Sequence, residues 1–233
     1  MNINNFENLI LAELKSVTEK VLAKNPAPTI SAKARAGAEI SNLLEKQFVI
    51  ETHRHKYFKN SQSSPENATK NPWDAMTYFC LNGHEELIWI DFKAIKISSA
   101  NSNPDIGTPD KIIDLISQGY FYLTYIFVYY EETEKGLKFV KNRDNELVKI
   151  YFLKNISSTF RRNPKNQLQV NISAQPEKRT RAEFINILFD KIIESHKRQI
   201  EISEKKLREI DENGIKEKLL TENEKQEQQI RKI

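Results

Sequence analysis

NPWDAMTYFCLNGHEELIWIDFKAIKI, residues 71–97, is the stretch around which the chain is organised. It predicts two adjacent strands with a turn between them. The first strand carries Asp74. On the second, Ile88, Ile90, Phe92 and Ala94 alternate with Trp89, Asp91, Lys93 and Ile95. Side chains two apart on a strand share a face, so Asp91 and Lys93 point one way while Ile90 and Phe92 point the other. A carboxylate and an ammonium on one strand face, beside an acid on the neighbouring strand, suit a hard divalent cation and an activated water.

The pattern Asp/Glu-x-Lys occurs elsewhere, as Glu13-Leu14-Lys15 and Glu204-Lys205-Lys206. Both of those lie on polar helix faces, where positions i and i+2 do not share a side. Only Asp91-Phe92-Lys93 sits in a strand. A surface ion pair at a strand end is the plain alternative, but the apolar alternation makes the strand at least half buried, where charges without a task are costly. We therefore expect Asp74 and Asp91 to bind the metal with help from the Phe92 carbonyl. Lys93 would orient or deprotonate the attacking water and offset transition-state charge. Glu39 is a candidate accessory acid from the second helix, or an exposed acid favoured by the helix dipole.

The rest of the composition sets limits. A chain of 233 residues with 39% apolar and 29% charged residues can bury a real core and still present solvated or partner-facing helices. The single cysteine, Cys80, permits no disulfide framework or zinc set. Neither a signal peptide nor a membrane span is expected, which suggests a cytoplasmic protein. G-x-x-x-x-G-K-[ST], G-x-G-x-x-G and H-E-x-x-H are absent, so no nucleotide cofactor is expected.

Taken in order, Phe6, Leu9, Ile10, Leu14, Val17 and Val21 predict an amphipathic helix over 4–23, ended by Asn25-Pro26-Ala27-Pro28. Ser31 caps a second helix to about Phe48, which contains Gly37; either close approach of another backbone or simple tolerance accounts for that glycine. Residues 51–72 read as a loop, with His53 and His55 solvated rather than metal-binding. Thr108-Pro109 opens a short helix over 109–118. YFYLTYIFVYY, 120–130, is a strand buried on both faces. Residues 136–140 and 147–153 look like a hairpin pair joined through Arg143-Asp144-Asn145. From Arg181 the chain is helical, with Ile193, Ile200 and Leu207 in a weak coiled-coil seam beside Phe189, His196, Ser203 and Ile210. Asp211-Glu212-Asn213-Gly214 is expected to break that helix, and a charged, fraying tail with Glu224, Lys225 and Glu227 to follow.

The net charge is only +4, but seven bases (Lys154, Arg161, Arg162, Lys165, Lys178, Arg179, Arg181) face one acid, Glu177, within 154–181. Such clustering marks a polyanion binder. Gln167, Gln169 and Asn171 alternate with Leu168, Val170 and Ile172 on the strand that follows the basic loop. With Asn163 and Asn166 they form an amide-rich face. Amides pair bidentately with adenine in the major groove, so an A·T-biased site is expected; an ordinary polar edge strand is the alternative. Candidate DNA contacts are Lys33, Arg35, Asn103, Arg161, Arg162, Asn163, Lys165, Gln167, Gln169, Asn171, Arg179 and Arg181.

The order helix with Glu39, strand with Asp74, strand with Asp91-Phe92-Lys93, helix, aromatic strand resembles the PD-(D/E)xK restriction endonucleases. ARAGAEIS, KNPWDA, IWIDFKA, SNPDIGTP, FRRNPK, QVNISAQP and RTRAEF are similar, more closely, to SwaI-type type II restriction endonucleases. Pro72 is separated from Asp74 by Trp73, a departure from the motif's name. The resemblance implies an α/β (α+β) fold with a mixed central sheet flanked by helices and a long C-terminal helical appendage. Catalysis and recognition would lie in 1–180, and dimerisation or a DNA clasp in 181–233. It further implies a prokaryotic, homodimeric enzyme that hydrolyses double-stranded DNA with Mg²⁺, Mn²⁺ being able to substitute. The site would be an A·T-only palindrome such as ATTTAAAT, cut bluntly at its centre. A structure-specific repair or junction nuclease on the same core, and a non-catalytic DNA-binding protein, are the competing readings.

Overall fold

Asn82 and Gly83 turn the central hairpin, and both have positive φ (52° and 82°). A two-residue loop of that kind matches the right-handed twist of the strands it joins, and Asn-Gly adopts it at least cost. The computed structural model describes residues 2–29, 36–65, 73–99, 103–134, 136–163 and 166–231, and of 211–213 the backbone alone. It divides into two units, Met1–Ile187 and Leu188–Ile233.

In the first unit the elements run α1 (Ile3–Lys24), α2 (Ala36–Thr52), β1 (Phe58–Ser63), β2 (Ala75–Leu81), β3 (His84–Lys96), α3 (Pro109–Ser117), β4 (Tyr122–Thr133), β5 (Gly136–Val140), β6 (Val148–Phe152), β7 (Arg161–Arg162) and β8 (Leu168–Gln169). The larger sheet has the order β1-β2-β3-β4-β5, with β6 also paired to β4. Pairing is antiparallel except between β3 and β4, which are parallel and connected through α3. The fold is therefore mixed α/β, with a mixed sheet. Thr108 caps α3, and Pro109 occupies its first turn, where a missing N–H costs nothing.

The register sorts side chains onto two faces. Ala75, Phe79, Ile88, Ile90, Phe92, Ile126, Val128 and Phe152 turn to one face and join Ile10, Leu14, Val17, Ile40, Leu44 and Phe48 of α1 and α2 in one core. Asp91 lies beside Tyr125 and Lys93 beside Phe127, so these four belong to the opposite face. That face is aromatic, with Phe127 stacked on Tyr151 (centroids 5.5 Å apart).

Several expectations need revision. Residues 51–72 are not simply a loop, because β1 adds to β2 across a bulge between Lys59 and Gln62. His55 is only partly solvated: its Nδ1 accepts from the N–H groups of Tyr57 and Phe58 (3.3 and 3.4 Å), and its Nε2 lies 3.5 Å from Glu13. β5 and β6 do not pair with each other. β4 is long enough that β6 takes its residues 124–128 and β5 its residues 129–133 on one edge. Gly37 faces the Ala94 carbonyl, 3.7 Å from where a Cβ would stand. That is an ordinary contact, so the glycine is tolerated there rather than required. Ser31 lies outside the described residues.

α4 (Arg181–Asn213) runs from the first unit into the second. Gly214, with φ 53°, separates it from α5 (Ile215–Ile230), so the charged tail is helical. Phe189, Ile193, Ile200 and Leu207 are exposed at 45, 51, 57 and 62%. No described helix is long and apolar enough to cross a membrane.

Candidate active site

β2 starts at Ala75, and Asp74 stands where it would have continued. The Asp74 N–H prolongs the ladder to the Ile90 carbonyl (2.8 Å). Its carboxylate then replaces the missing strand, with Oδ2 accepting the Phe92 N–H at 2.7 Å. The Phe92 carbonyl faces the same gap and accepts from Ser41 Oγ of α2 (3.1 Å). One turn on, Glu45 shares that helix face with Ser41. On β3 the Lys93 Nζ lies 2.7 Å from Asp91 Oδ1. A premature strand end thus leaves two carboxylates, one ammonium and one carbonyl together where β2 stops short of β3.

The electrostatics are those of a site short of positive charge. Burial pushes the Asp91 carboxyl up to about 6; Lys93 opposes this and the Asp74 charge reinforces it. Asp74 is also raised by burial, against the Phe92 N–H and Lys93. Glu45 is raised by burial and then by Asp74. Burial and the charge of Asp91 hold the Tyr125 phenol well above its usual range. Desolvated carboxylates that repel one another, with one lysine between them, suit a divalent cation. Among the described residues no group of three or more His, Cys, Asp or Glu side chains forms a metal-binding set. The donors here are two carboxylates and a main-chain carbonyl, which fits a cation that keeps several waters.

The expected residues are distributed unevenly. Asp74, Asp91, Phe92 and Lys93 come together. Glu39 lies elsewhere, lining a hollow with Lys24, Asn25 and Pro26. Glu45 is the α2 acid that feels Asp74. Lys33, Arg35 and Lys165 lie outside the described residues. Arg161 is exposed at the start of β7 and pairs across to Gln169. Arg162 Nε donates to Asn166 Oδ1. Asn163 Oδ1 accepts the Gln167 N–H (3.0 Å) and Asn171 Oδ1 the Ser173 N–H (3.1 Å), so both stabilise turns. The Asn103 carbonyl accepts from Gln169 Nε2 (3.4 Å).

Part of the basic cluster faces inward. Lys154 is buried against Glu7 (2.9 Å) and donates to the Arg179 carbonyl (2.7 Å). Arg179 itself bonds the Ile156 carbonyl and Glu177. Arg181 covers the rings of Phe121 and Tyr122, 4.9 and 5.0 Å from their centroids. These three bases hold the segment before α4 in place.

Sequence reasoning missed Ser41, Glu45 and Tyr125 beside this centre. Ser41, Leu44, Glu45 and Phe48 have the i, i+3, i+4, i+7 spacing of the buried stripe, and two polar residues in such a stripe are a signal.

A family model described as SwaI-like, SwaI restriction endonuclease, matches residues 2–210. No match was found among curated proteins.

Proposed function

Because the chain belongs to the SwaI-like family of restriction endonucleases, we propose that Asp74, Asp91 and Lys93 form the centre at which it hydrolyses double-stranded DNA at a specific site, on a PD-(D/E)xK core. The carrying observation is the Asp91–Lys93 pair, 2.7 Å apart, on a buried strand with an Asp91 carboxyl raised to about 6. Such a pair is poorly explained by stability, since desolvating both ions offsets their attraction.

Asp74, Asp91 and the Phe92 carbonyl are the groups that would hold Mg²⁺ or Mn²⁺. When bound, the cation neutralises charge on the scissile phosphate and lowers the pKa of a water. The chain's own groups do the rest. The Phe92 N–H fixes the rotamer of Asp74, and Ser41 aims the Phe92 carbonyl. Glu45 adds negative charge beside Asp74, strengthening the demand for a cation. Lys93 donates to the attacking water and to the phosphoryl oxygens as charge grows on them. The water oxygen bonds to phosphorus as the water gives up a proton to solvent, the bond to one ester oxygen breaks, and that oxygen takes up a proton from solvent.

A palindrome presents two equivalent half-sites, so a two-fold dimer matches it with one centre per strand. The exposed Phe189, Ile193, Ile200 and Leu207 of α4 support a homodimer through this helix. The family likeness supports an A·T palindrome such as ATTTAAAT, cut at its centre.

Incubating the protein with a large A·T-rich DNA, with and without Mg²⁺, tests the proposal. Discrete fragments that require the cation support it. Cutting confined to branched substrates, or binding without cutting, overturns it.

A further inference from the structure

The residues that carry this inference are Asp105, Gln169 and Arg161. Residues 104–107 run along the free edge of β8: Asp105 bridges Gln169 antiparallel, the Ile106 N–H reaches the Leu168 carbonyl (2.8 Å), and the Leu168 N–H reaches the Gly107 carbonyl (2.8 Å). Ile106, Leu168 and Val170 are buried, and the Ile106 carbonyl accepts from Tyr125 Oη (2.6 Å). This small ribbon therefore sits on the sheet face that carries Asp91. Residues opposite each other on paired strands share a side, so Arg161, Gln169 and Asp105 form one row on the outer side of the ribbon.

Within that row the amides have a fixed polarity. Asp105 Oδ1 accepts from Gln169 Nε2 at 2.9 Å and from Asn163 Nδ2 at 3.0 Å. An ionised carboxylate only accepts, so the amide nitrogens must be the atoms turned toward it. The second N–H of Gln169 points to the Asn103 carbonyl (3.4 Å). Both donors of Gln169 are thus engaged inside the protein. Among the described residues no donor reaches Gln169 Oε1 or Asp105 Oδ2. An amide in this state cannot make the bidentate contact to adenine, which needs one donor for N7 and one acceptor for the amine.

We propose that Asp105 is a specificity-setting residue: it locks Gln169 so that this pair of side chains meets base edges with acceptor oxygens alone and takes an exocyclic amine, the N6 amine of adenine in an A·T site. The inference rests on the site-specific DNA reading above. It also accounts for a carboxylate in a row meant for a polyanion. Asp105 contributes an acceptor and an orientation, while Arg161 at the other end of the row takes a phosphate.

The test begins by sequencing the ends of fragments cut from genomic DNA, which defines the site without assumption. Duplexes of that site then carry, at each adenine in turn, 7-deazaadenine (amine kept, N7 lost) or purine (N7 kept, amine lost). At one adenine per half-site, purine is expected to slow cleavage about tenfold or more, and 7-deazaadenine less than about twofold. Asp105→Asn, whose amide can turn either way, is expected to bring the two analogues within about threefold of each other at that adenine. If 7-deazaadenine slows cleavage as much as purine at every sensitive adenine, the inference is wrong. It is also wrong if Asp105→Asn keeps the wild-type pattern. The wild-type pattern decides by itself if the variant misfolds. Absence of discrete fragments is a different outcome, which removes the site-specific reading and the inference with it.

Discussion

Replacing Asp91 with asparagine should make the metal-free protein more stable and catalytically dead. The reason is the raised acidity constant. Asp91 titrates near 6 in the folded chain, against about 3.9 in an unfolded one. A folded pKa raised above the unfolded value means that folding disfavours the ionised form. The penalty is absent below about pH 4, grows by up to about 1.4 kcal/mol per pH unit between about 4 and 6, and is constant above that. Two units therefore correspond to about 3 kcal/mol at pH 8. Asparagine removes that penalty, and the loss of Lys93's partner at 2.7 Å is already counted in the value of about 6, so a net gain of up to about 3 kcal/mol is expected at pH 8. Urea unfolding of both proteins in EDTA, at several pH values from 4 to 8, measures it. The gap should close as pH falls, because a protonated aspartate is as neutral as asparagine. Mg²⁺ should then stabilise the wild type and leave Asp91→Asn unmoved, by linkage to binding. A variant less stable at pH 8, or a gap indifferent to pH, would refute the account of Asp91 as a carboxylate held ready for a cation.

Lys93→Ala should lower cleavage about 10³-fold, within the range for positioned proton-handling groups, while gel-shift affinity for the cut site changes only a few-fold. Ser41→Ala frees the Phe92 carbonyl and should raise the Mg²⁺ concentration for half-maximal cleavage about tenfold, as loss of supporting hydrogen bonds does elsewhere; an unchanged metal titration denies Ser41 this role. The two classes of base should separate cleanly. Arg161→Ala should flatten the salt dependence of DNA binding by about one unit of log–log slope and leave the melting temperature alone. Lys154→Met should cost about 3 kcal/mol of stability by leaving Glu7 buried without its cation, and should leave the salt slope unchanged.

How much of this was legible depends on whether the signal was local. The central hairpin was, because alternation over β3 and Asn82-Gly83 between the strands are both local features. So were α1, from its apolar spacing, and α3, from Thr108-Pro109. β1 was not: Lys59, Asn60, Ser61, Gln62 and Ser63 show no apolar alternation, and the strand exists because β2 offers an edge. The pairing of β5 and β6 was misread for a related reason. Two β-prone runs with a turn between them look like a hairpin, and nothing local says that β4 is long enough to take both on one edge.

The site divides in the same way. Asp74, Asp91 and Lys93 were readable because period-two alternation puts charges on a defined face, and because a helix cannot bring i and i+2 together. The two acids of α2 cannot be told apart by counting. Glu39 and Glu45 are six residues apart, roughly 240° around the helix, so one of them faces the hollow beside Pro26 while the other faces Asp74. Choosing between them required knowing which stripe of α2 meets β3, and Ser41 supplies that answer through its bond to the Phe92 carbonyl. The basic cluster is the sharpest case of charge misleading by sum. Lys154, Arg179 and Arg181 were counted toward a DNA footprint, yet they close an internal junction with Glu7, Glu177, Phe121 and Tyr122. Composition cannot tell a base that fastens two segments from one that waits for a phosphate. Asp105 shows the converse: one acid in the reading row, diluted by bases in any charge count, decides which atoms of the neighbouring amides remain to meet DNA.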